Sequence, residues 1–317
     1  MGRAASAISA TIDDRFSVPD TIFFGIGAQK SGTSWLNYFL GTHPDVATPA
    51  IKEQNYWRMV ERGGGPGRII ESYREILEAP DMPASVLTLD TPDARRVQCA
   101  RFSLRAADSP VAPHSDYADA IFAGEPAPVC KAAGEISPSY ATLKAATFEQ
   151  MTSVARNVRF LFLMRDPLDR LEAGLRHSLK RAPQPVSQAD FDAMVGGVIE
   201  GKRRSTLVMS QYDRTITRLE KAAGPDRIGY FFFETLFHQG VVDQICDFLG
   251  ISRQNADFDR VVNGGGVKHL GYRDDQRRSV AALLAPTYRA LRKKFGAAIP
   301  AAWEASEALA LAAEADL

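Results

Sequence analysis

Apolar positions along the chain alternate between two rhythms. Ile22, Phe23, Phe24 and Ile26 form a short apolar run bounded by glycines, which predicts a buried strand. VRFLFLM at 158–164 and RIGYFFF at 227–233 predict two more, the first of them central in a parallel sheet. Between these runs the spacing becomes helical. Trp35, Leu36, Phe39 and Leu40 share one helix face, and Phe191, Met194 and Val195 another. Ile216 and Leu219, the stretch 241–249, and the tail from Gln276 follow the same period, with an Ala-rich helix after Trp303. Gly41 with His43-Pro44 closes the first helix, and Gly250 caps the one over 241–249. Residues 69–77 repeat at helical spacing, but the rest of 60–130 has no clear period. Strands alternating with helices predict an α/β fold, one domain with a central parallel β-sheet flanked by helices. The expected boundaries are a polar, flexible lead-in over 1–19, the domain over 20–300, and a C-terminal helix over 301–317.

Composition narrows the function only by exclusion. The 317 residues are 45% hydrophobic and 24% charged, as in an ordinary globular protein. Formal net charge is zero, so nothing points to nucleic acid or an anionic membrane. Any anion site must come from local placement of basic residues. Cys99, Cys130 and Cys246 are far apart and odd in number, which predicts reduced thiols. None has metal-ligand spacing, and no metal is expected. No apolar run has the length of a membrane span, and the N-terminus has no signal-peptide core. A cytoplasmic location is therefore expected.

The chemistry concentrates where the first strand meets the first helix, in GIGAQKSGTSWL at 25–36. Strand, small-residue loop and helix start make a P-loop-like cradle for an anion. The N–H groups of Ser31, Gly32, Thr33 and Ser34 would point at it, helped by the helix dipole. Lys30 adds a point charge. An ordinary turn from strand to helix is the alternative. The order Lys30-Ser31-Gly32-Thr33 does not fit the Walker pattern, where lysine follows the last glycine. The Rossmann pattern fails as well, because Lys30 stands where the third glycine belongs.

QKSGTSWL resembles the 5′-phosphosulfate loop of sulfotransferases, which bind 3′-phosphoadenosine 5′-phosphosulfate (PAPS). Further motifs extend the resemblance. Lys52-Glu53-Gln54-Asn55-Tyr56-Trp57 is similar to the K-E-x-x-F-F segment of the glycan-type enzymes, whose glutamate is the general base. Asn55 stands where many relatives carry histidine. Gly134-Glu135-Ile136-Ser137-Pro138-Ser139-Tyr140 resembles G-E-K-S-P-x-Y, with Ile136 in place of lysine. RDPLDR at 165–170 resembles the 3′-phosphate motif R-D-P-x-x-R-x-x-S, with Ala173 in place of its serine. Arg165 would lie beyond the carboxyl end of a strand, where ligands of open α/β sheets bind. Its guanidinium suits a phosphate. Ser210-x-Tyr212 is similar to a nucleotide-touching segment; Tyr212 would stack on adenine or sit half-buried in the core. Asn263 to His269 holds three glycines and Lys268; it resembles a late loop that closes over the 3′-phosphate, or is a flexible surface loop.

The resemblance implies in-line transfer of a sulfuryl group from PAPS to an acceptor hydroxyl or amine, leaving 3′-phosphoadenosine 5′-phosphate (PAP). Lys30 would stabilise the leaving oxygen and Glu53 would take the acceptor's proton. Lys30, Ser31, Gly32, Thr33, Ser34, Trp35, Arg165, Tyr212, Gly265 and Lys268 would hold the nucleotide. Lys52, Glu135 and Ser137 are candidates for the acceptor side. The acceptor itself is open among small molecules, lipids and glycans. Glu53 can also be a solvated surface carboxylate, Glu135 part of a hydrogen-bonded turn, and Arg165 one half of a strand-end Arg–Asp pair. His43, beside a proline, is expected to make local turn contacts. Two rivals differ in kind. A P-loop kinase would use ATP and Mg²⁺, with Asp166 holding the metal. A non-catalytic nucleotide-binding module would keep the fold and lack the base.

Overall fold

The apolar run at 21–27 forms β1 (Thr21–Gly27), every residue of which is buried. A computed structural model describes residues 13–49, 52–62, 114–122, 130–180, 182, 185–260, 267 and 269–316. Among these, five parallel strands make one sheet in the order β2-β3-β1-β4-β5. The others are β2 (Val46–Ala47), β3 (Ala132–Ile136), β4 (Val158–Met164) and β5 (Ile228–Phe232). β1 is central, pairing Gly25 with Ile136 of β3 on one side and with Leu161 of β4 on the other.

The period of two along each strand sorts the core into two layers. Ile22, Phe24, Ile26, Phe160, Phe162 and Met164 face one side, and Phe23, Leu161, Leu163 and Ile136 the other. Helix α1 (Thr33–Gly41) covers the second side with Trp35, Leu36, Phe39 and Leu40. The other helices are α2 (Tyr56–Glu61), α3 (His114–Phe122), α4 (Ala145–Thr152), α5 (Pro167–Leu179), α6 (Gln188–Ile199), α7 (Arg204–Val208), α8 (Tyr212–Ala223), α9 (Gln239–Leu249), α10 (Asp274–Phe295) and α11 (Glu304–Ala315). Of these, α9 joins α1 through Val242, Ile245, Cys246 and Leu249, and α5, α6, α8 and α10 cover the first side. The terminal helix α11 docks on α10 through the pairs Arg289–Glu314 and Arg292–Glu307. Just before it, Trp303 packs edge-on against Phe232 at 5.4 Å.

The end of the expected lead-in is packed rather than loose. Asp14–Ser17 form a 3₁₀ turn whose Phe16 is buried against Tyr117 and Phe122. An aromatic side chain in a polar tail found a hydrophobic slot. Residues 63–113 lie outside the described residues, and with them Arg95, Arg96, Arg101 and Arg105, which the sequence offers either as a solvated face or as lining the path of an anionic acceptor.

Strand spacing makes one glycine obligatory. A Cβ at Gly134 would lie 1.9 Å from the Phe23 carbonyl oxygen, a backbone atom that cannot swing away. Gly134→Ala is expected to destabilise by about 3 kcal/mol, since β1 and β3 must separate. Urea unfolding measures this; a change under about 0.5 kcal/mol would show that the pair has slack.

Candidate functional site

The carboxyl ends of β1, β3, β4 and β5 lead into the residues that the sequence singles out. After β1 the chain turns through Lys30 and Gly32, both left-handed at φ 70° and 83°. A lysine in that region is uncommon, and such strain clusters at ligand sites. At Gly32 the turn also needs the missing side chain: a Cβ would lie 2.6 Å from Leu236 Cδ2. Gly32 is the N-cap of α1 with no side-chain cap, and no acidic residue sits in the first turn. The Gly32 and Thr33 N–H groups donate to nothing among the described residues. This end of α1 therefore keeps its donors and its positive dipole for an anion. The Ser31 hydroxyl is buried beside the Tyr212 phenol without a hydrogen bond of ordinary geometry.

Cations surround that opening. Burial lowers the Lys30 pKa first, and the nearby charges of Arg165, Lys180 and Lys52 lower it further; only Glu53 opposes them. Lys52 is 7% exposed, and its Nζ donates to Ser34 Oγ at 2.7 Å and pairs with Glu53 Oε1 at 3.2 Å. Arg165 follows β4, with its guanidinium 5.0 Å above the Phe233 ring. That ring also abuts Gly32. Its backbone is clamped by Tyr212, whose hydroxyl donates to Arg165 O at 3.0 Å. Like charges gathered in a partly buried space repel one another and favour an anion between them.

The remaining parts of RDPLDR hold this edge rigid. Asp166 caps α5: its Oδ1 accepts from Leu168 N, Asp169 N and Tyr288 Oη at 2.9, 3.0 and 2.9 Å. Its own N–H donates to Glu234 Oε1 at 2.9 Å, tying the ends of β4 and β5. Arg170 is fully buried, with Nε on Ser210 Oγ at 2.6 Å and Nη2 on Thr206 O at 2.8 Å.

Glu53 sits opposite the cradle on the loop 52–55. Glu53 and Asn55 are both left-handed, at φ 61° and 56°. The Glu53 side chain is 37% exposed. Behind the loop, Glu135 at the end of β3 is 1% exposed. Its Oε2 accepts from Gln54 N at 3.1 Å and Ser137 Oγ at 2.5 Å. Its Oε1 accepts from Tyr117 Oη at 2.8 Å and Tyr140 Oη at 2.6 Å. Burial raises the Glu135 pKa, and these four donors pull against that rise.

Residues 23–255 match the model of the Sulfotransferase family. The chain belongs to that family. A sulfotransferase from Alicyclobacillus acidocaldarius has a similar structure, with a TM-score of 0.57 and 20% identity over 87% of this chain and 95% of that one. The likeness shows the fold. The sulfotransferase domain of the Synechococcus PCC 7002 olefin synthase gives a TM-score of 0.48 at 19% identity, over 95% and 97% of the two chains. No curated protein matches. Among the described residues no helix is long and apolar enough to cross a membrane, and no group of three His, Cys, Asp or Glu side chains could hold a metal.

In this family member the structure brings together Lys30, Ser31, Gly32, Thr33, Ser34, Arg165 and Glu53, and it relocates others. Trp35 faces away from the cradle: its indole stacks between Phe39 and Phe258 and donates to Asp257 O at 3.1 Å. Helical spacing had already put it on the sheet-facing side. Tyr212 is buried edge-on to Phe162 and cannot stack on a base; its ring fills the core and its hydroxyl holds Arg165. Lys52, a candidate for the acceptor side, instead braces the cradle. Glu135 and Ser137 lie behind the 52–55 loop, and the four protein donors on the Glu135 carboxylate occupy the lone pairs that an acceptor's proton would need. Tyr56 and Trp57, close to Glu53 in the chain, lie inside the core: Tyr56 stacks on Tyr117 at 4.3 Å and Trp57 meets Phe24 edge-on. His43 makes turn contacts, accepting from Asp45 N at 3.1 Å and bonding Ser252 O at 2.8 Å. Ser178 cannot replace the serine missing at Ala173, since its hydroxyl donates to Gly174 O. Gly265 and Lys268 lie outside the described residues. Lys180, missed in the sequence, closes α5 beside Lys30, and no motif marks it.

Asp166 gives a pH signature. Burial, the largest cause, pushes its pKa up to about 6. Its Oδ2 is buried without a hydrogen bond of ordinary geometry, with the Ser306 hydroxyl close by. A folded pKa above the unfolded value of about 3.9 means that the native state holds the proton more tightly. Stability should therefore fall as pH rises from about 4 to 6. Asp166→Asn keeps the Oδ1 acceptor, removes that slope and should gain about 1–3 kcal/mol at pH 7.5. Urea unfolding at several pH values checks this; an Asn variant that is less stable at pH 7.5 would contradict it.

Proposed function

We propose that the chain transfers a sulfuryl group from PAPS to an acceptor hydroxyl or amine by in-line displacement. One observation carries this best: Lys30, Lys52 and Arg165 converge on the open N-terminus of α1, with Glu53 3.2 Å from Lys52 at its mouth. The free Gly32 and Thr33 donors, and the glycine that keeps the Gly32 backbone uncovered at its left-handed turn, fit a sulfate-bearing phosphate set against backbone. When bound, PAPS supplies the sulfuryl group on a phosphate leaving group. Lys30 and the loop N–H groups hold the 5′ side and meet the charge that develops there. Arg165 holds the 3′-phosphate with its fork of donors. Lys52 fixes Ser34 and balances Glu53. Glu53, reachable from solvent, takes the acceptor's proton. Acceptors fitting this chemistry are small molecules, lipids or glycans with a free hydroxyl or amine.

Asp166 bears on the kinase alternative. A magnesium-holding carboxylate must reach the phosphates, whereas Asp166 is buried and engaged as the α5 cap. The direct experiment incubates the protein with PAPS and a panel of phenols, alcohols and amines in EDTA. PAP release with a sulfated product is the expected result. Turnover that vanishes in EDTA and returns with Mg²⁺ and ATP would overturn it, and binding without transfer would mark a non-catalytic module.

A further inference from the structure

We propose that Glu135 is a positioning residue whose buried carboxylate locks the 52–55 loop and so aims Glu53 at the cradle. The inference rests on the activity proposed above, and it concerns how the base is held. Three separate stretches of chain meet at this one carboxylate. Gln54 N comes from the loop, Tyr117 from α3, and Ser137 and Tyr140 from the turn after β3. The hold on the loop is double. Gln54 N donates to Glu135 itself, and Asn55 N donates at 3.1 Å to Ser137 Oγ, whose own proton goes to Glu135. The two amides that follow Glu53 are thus anchored through one carboxylate. Trp57 N adds a link, donating to Tyr140 Oη at 3.2 Å while that hydroxyl donates to Glu135.

The loop needs such anchoring. Glu53 and Asn55 both hold left-handed backbones that non-glycine residues seldom adopt. Such conformations persist only where surrounding bonds over-determine them. Two further bonds work in the same sense: Asn55 Nδ2 donates to Glu53 O at 2.7 Å, and Ser139 Oγ donates to Asn55 Oδ1 at 2.5 Å. Hydrogen bonds gathered on one carboxyl group away from water reinforce one another, and a donor left unmatched there is costly. Loss of these bonds should free the loop at Gln54 and Asn55, while Lys52, which precedes them, keeps its own bond to Ser34 Oγ and so its place at the cradle. Glu135 touches no reacting atom; it acts through Glu53.

A double-mutant cycle with an exchange measurement tests this. In Glu135→Gln, an amide N–H₂ replaces one oxygen and faces donors. The Gln54 and Asn55 amides should then exchange at least tenfold faster, with β1 and β4 amides unchanged. PAP affinity by calorimetry should stay within about threefold. PAP release from PAPS with the best acceptor of the panel should fall at least tenfold, yet by less than about threefold in a Glu53→Gln background. A brace for the fold alone would lower turnover equally in both backgrounds and speed exchange in β1 as well. Either that pattern or unchanged exchange at Gln54 and Asn55 overturns the proposal. Should Glu135→Gln fail to fold, Ser137→Ala removes the acceptor for Asn55 N and carries the same readouts. If the wild-type protein neither binds PAP nor consumes PAPS, the proposed activity fails, and the exchange result alone supports or overturns the anchoring of the loop.

Discussion

Glu53→Gln is expected to lower sulfuryl transfer by roughly 10²–10⁴ while leaving PAP affinity within about twofold. The substitution keeps the shape of the side chain and removes only its ability to take a proton. Nucleotide binding should survive because Lys30, Arg165 and the α1 donors lie on other elements. Removing the partner of Lys52 leaves that ammonium its bond to Ser34 Oγ at 2.7 Å. Removing one carboxylate charge from the cleft would, if anything, favour an anionic ligand. Calorimetry with PAP and product release from PAPS separate the two effects. Near-normal turnover in Glu53→Gln, beside a dead Glu135→Gln, would place the base on β3 instead.

Lys30→Ala is expected to weaken PAP binding by about 10–100-fold and to lower turnover by about 10³ or more. On the proposed mechanism Lys30 would face the 5′ side in the ground state and meet a larger charge as the leaving oxygen forms, so the loss in rate should exceed the loss in affinity. Backbone strain does not confuse the comparison. Alanine is as poorly suited as lysine to φ 70°, so the conformational cost is nearly shared. Lys30→Gly relieves that strain and still lacks the charge; it should bind PAP as weakly as the alanine variant. Recovery of tight binding in the glycine variant would show that loop shape, rather than the ammonium, makes the site.

Much of this was legible in the residues. The run Ile22, Phe23, Phe24, Ile26 read as a buried strand, and its alternation supplies both layers of the core. Lysine followed by small residues, then a helical apolar face, reads as an anion cradle, and the helix start carries no side-chain cap. The parallel sheet and its flanking helices followed from strands spaced by helical stretches. What stayed hidden depends on distant partners. Glu135 reads alone as a carboxylate beside a proline turn; only tertiary packing supplies Gln54 N and the Tyr117 hydroxyl. Tyr212 carries a ring that suits stacking, but its place under Arg165 is set by how α8 packs on β4. Lys52 meets Ser34 across the cradle's mouth, a contact between positions far apart in sequence that no local pattern marks. Nothing local marks Arg170 as buried; its partners Ser210 and Thr206 come from beyond α6.

The central claim is that this cleft is built for a 3′-phosphorylated adenine nucleotide. Titration calorimetry with PAP and AMP in metal-free buffer tests it most directly. PAP should bind at least tenfold more tightly than AMP, a difference of about 1.4 kcal/mol or more. Arg165→Ala should erase most of that difference by weakening PAP alone. Ala173→Ser, which restores the hydroxyl that the family pattern carries, should widen it. Equal affinity for PAP and AMP, or tighter binding of ATP with Mg²⁺ than of PAP, would contradict the claim.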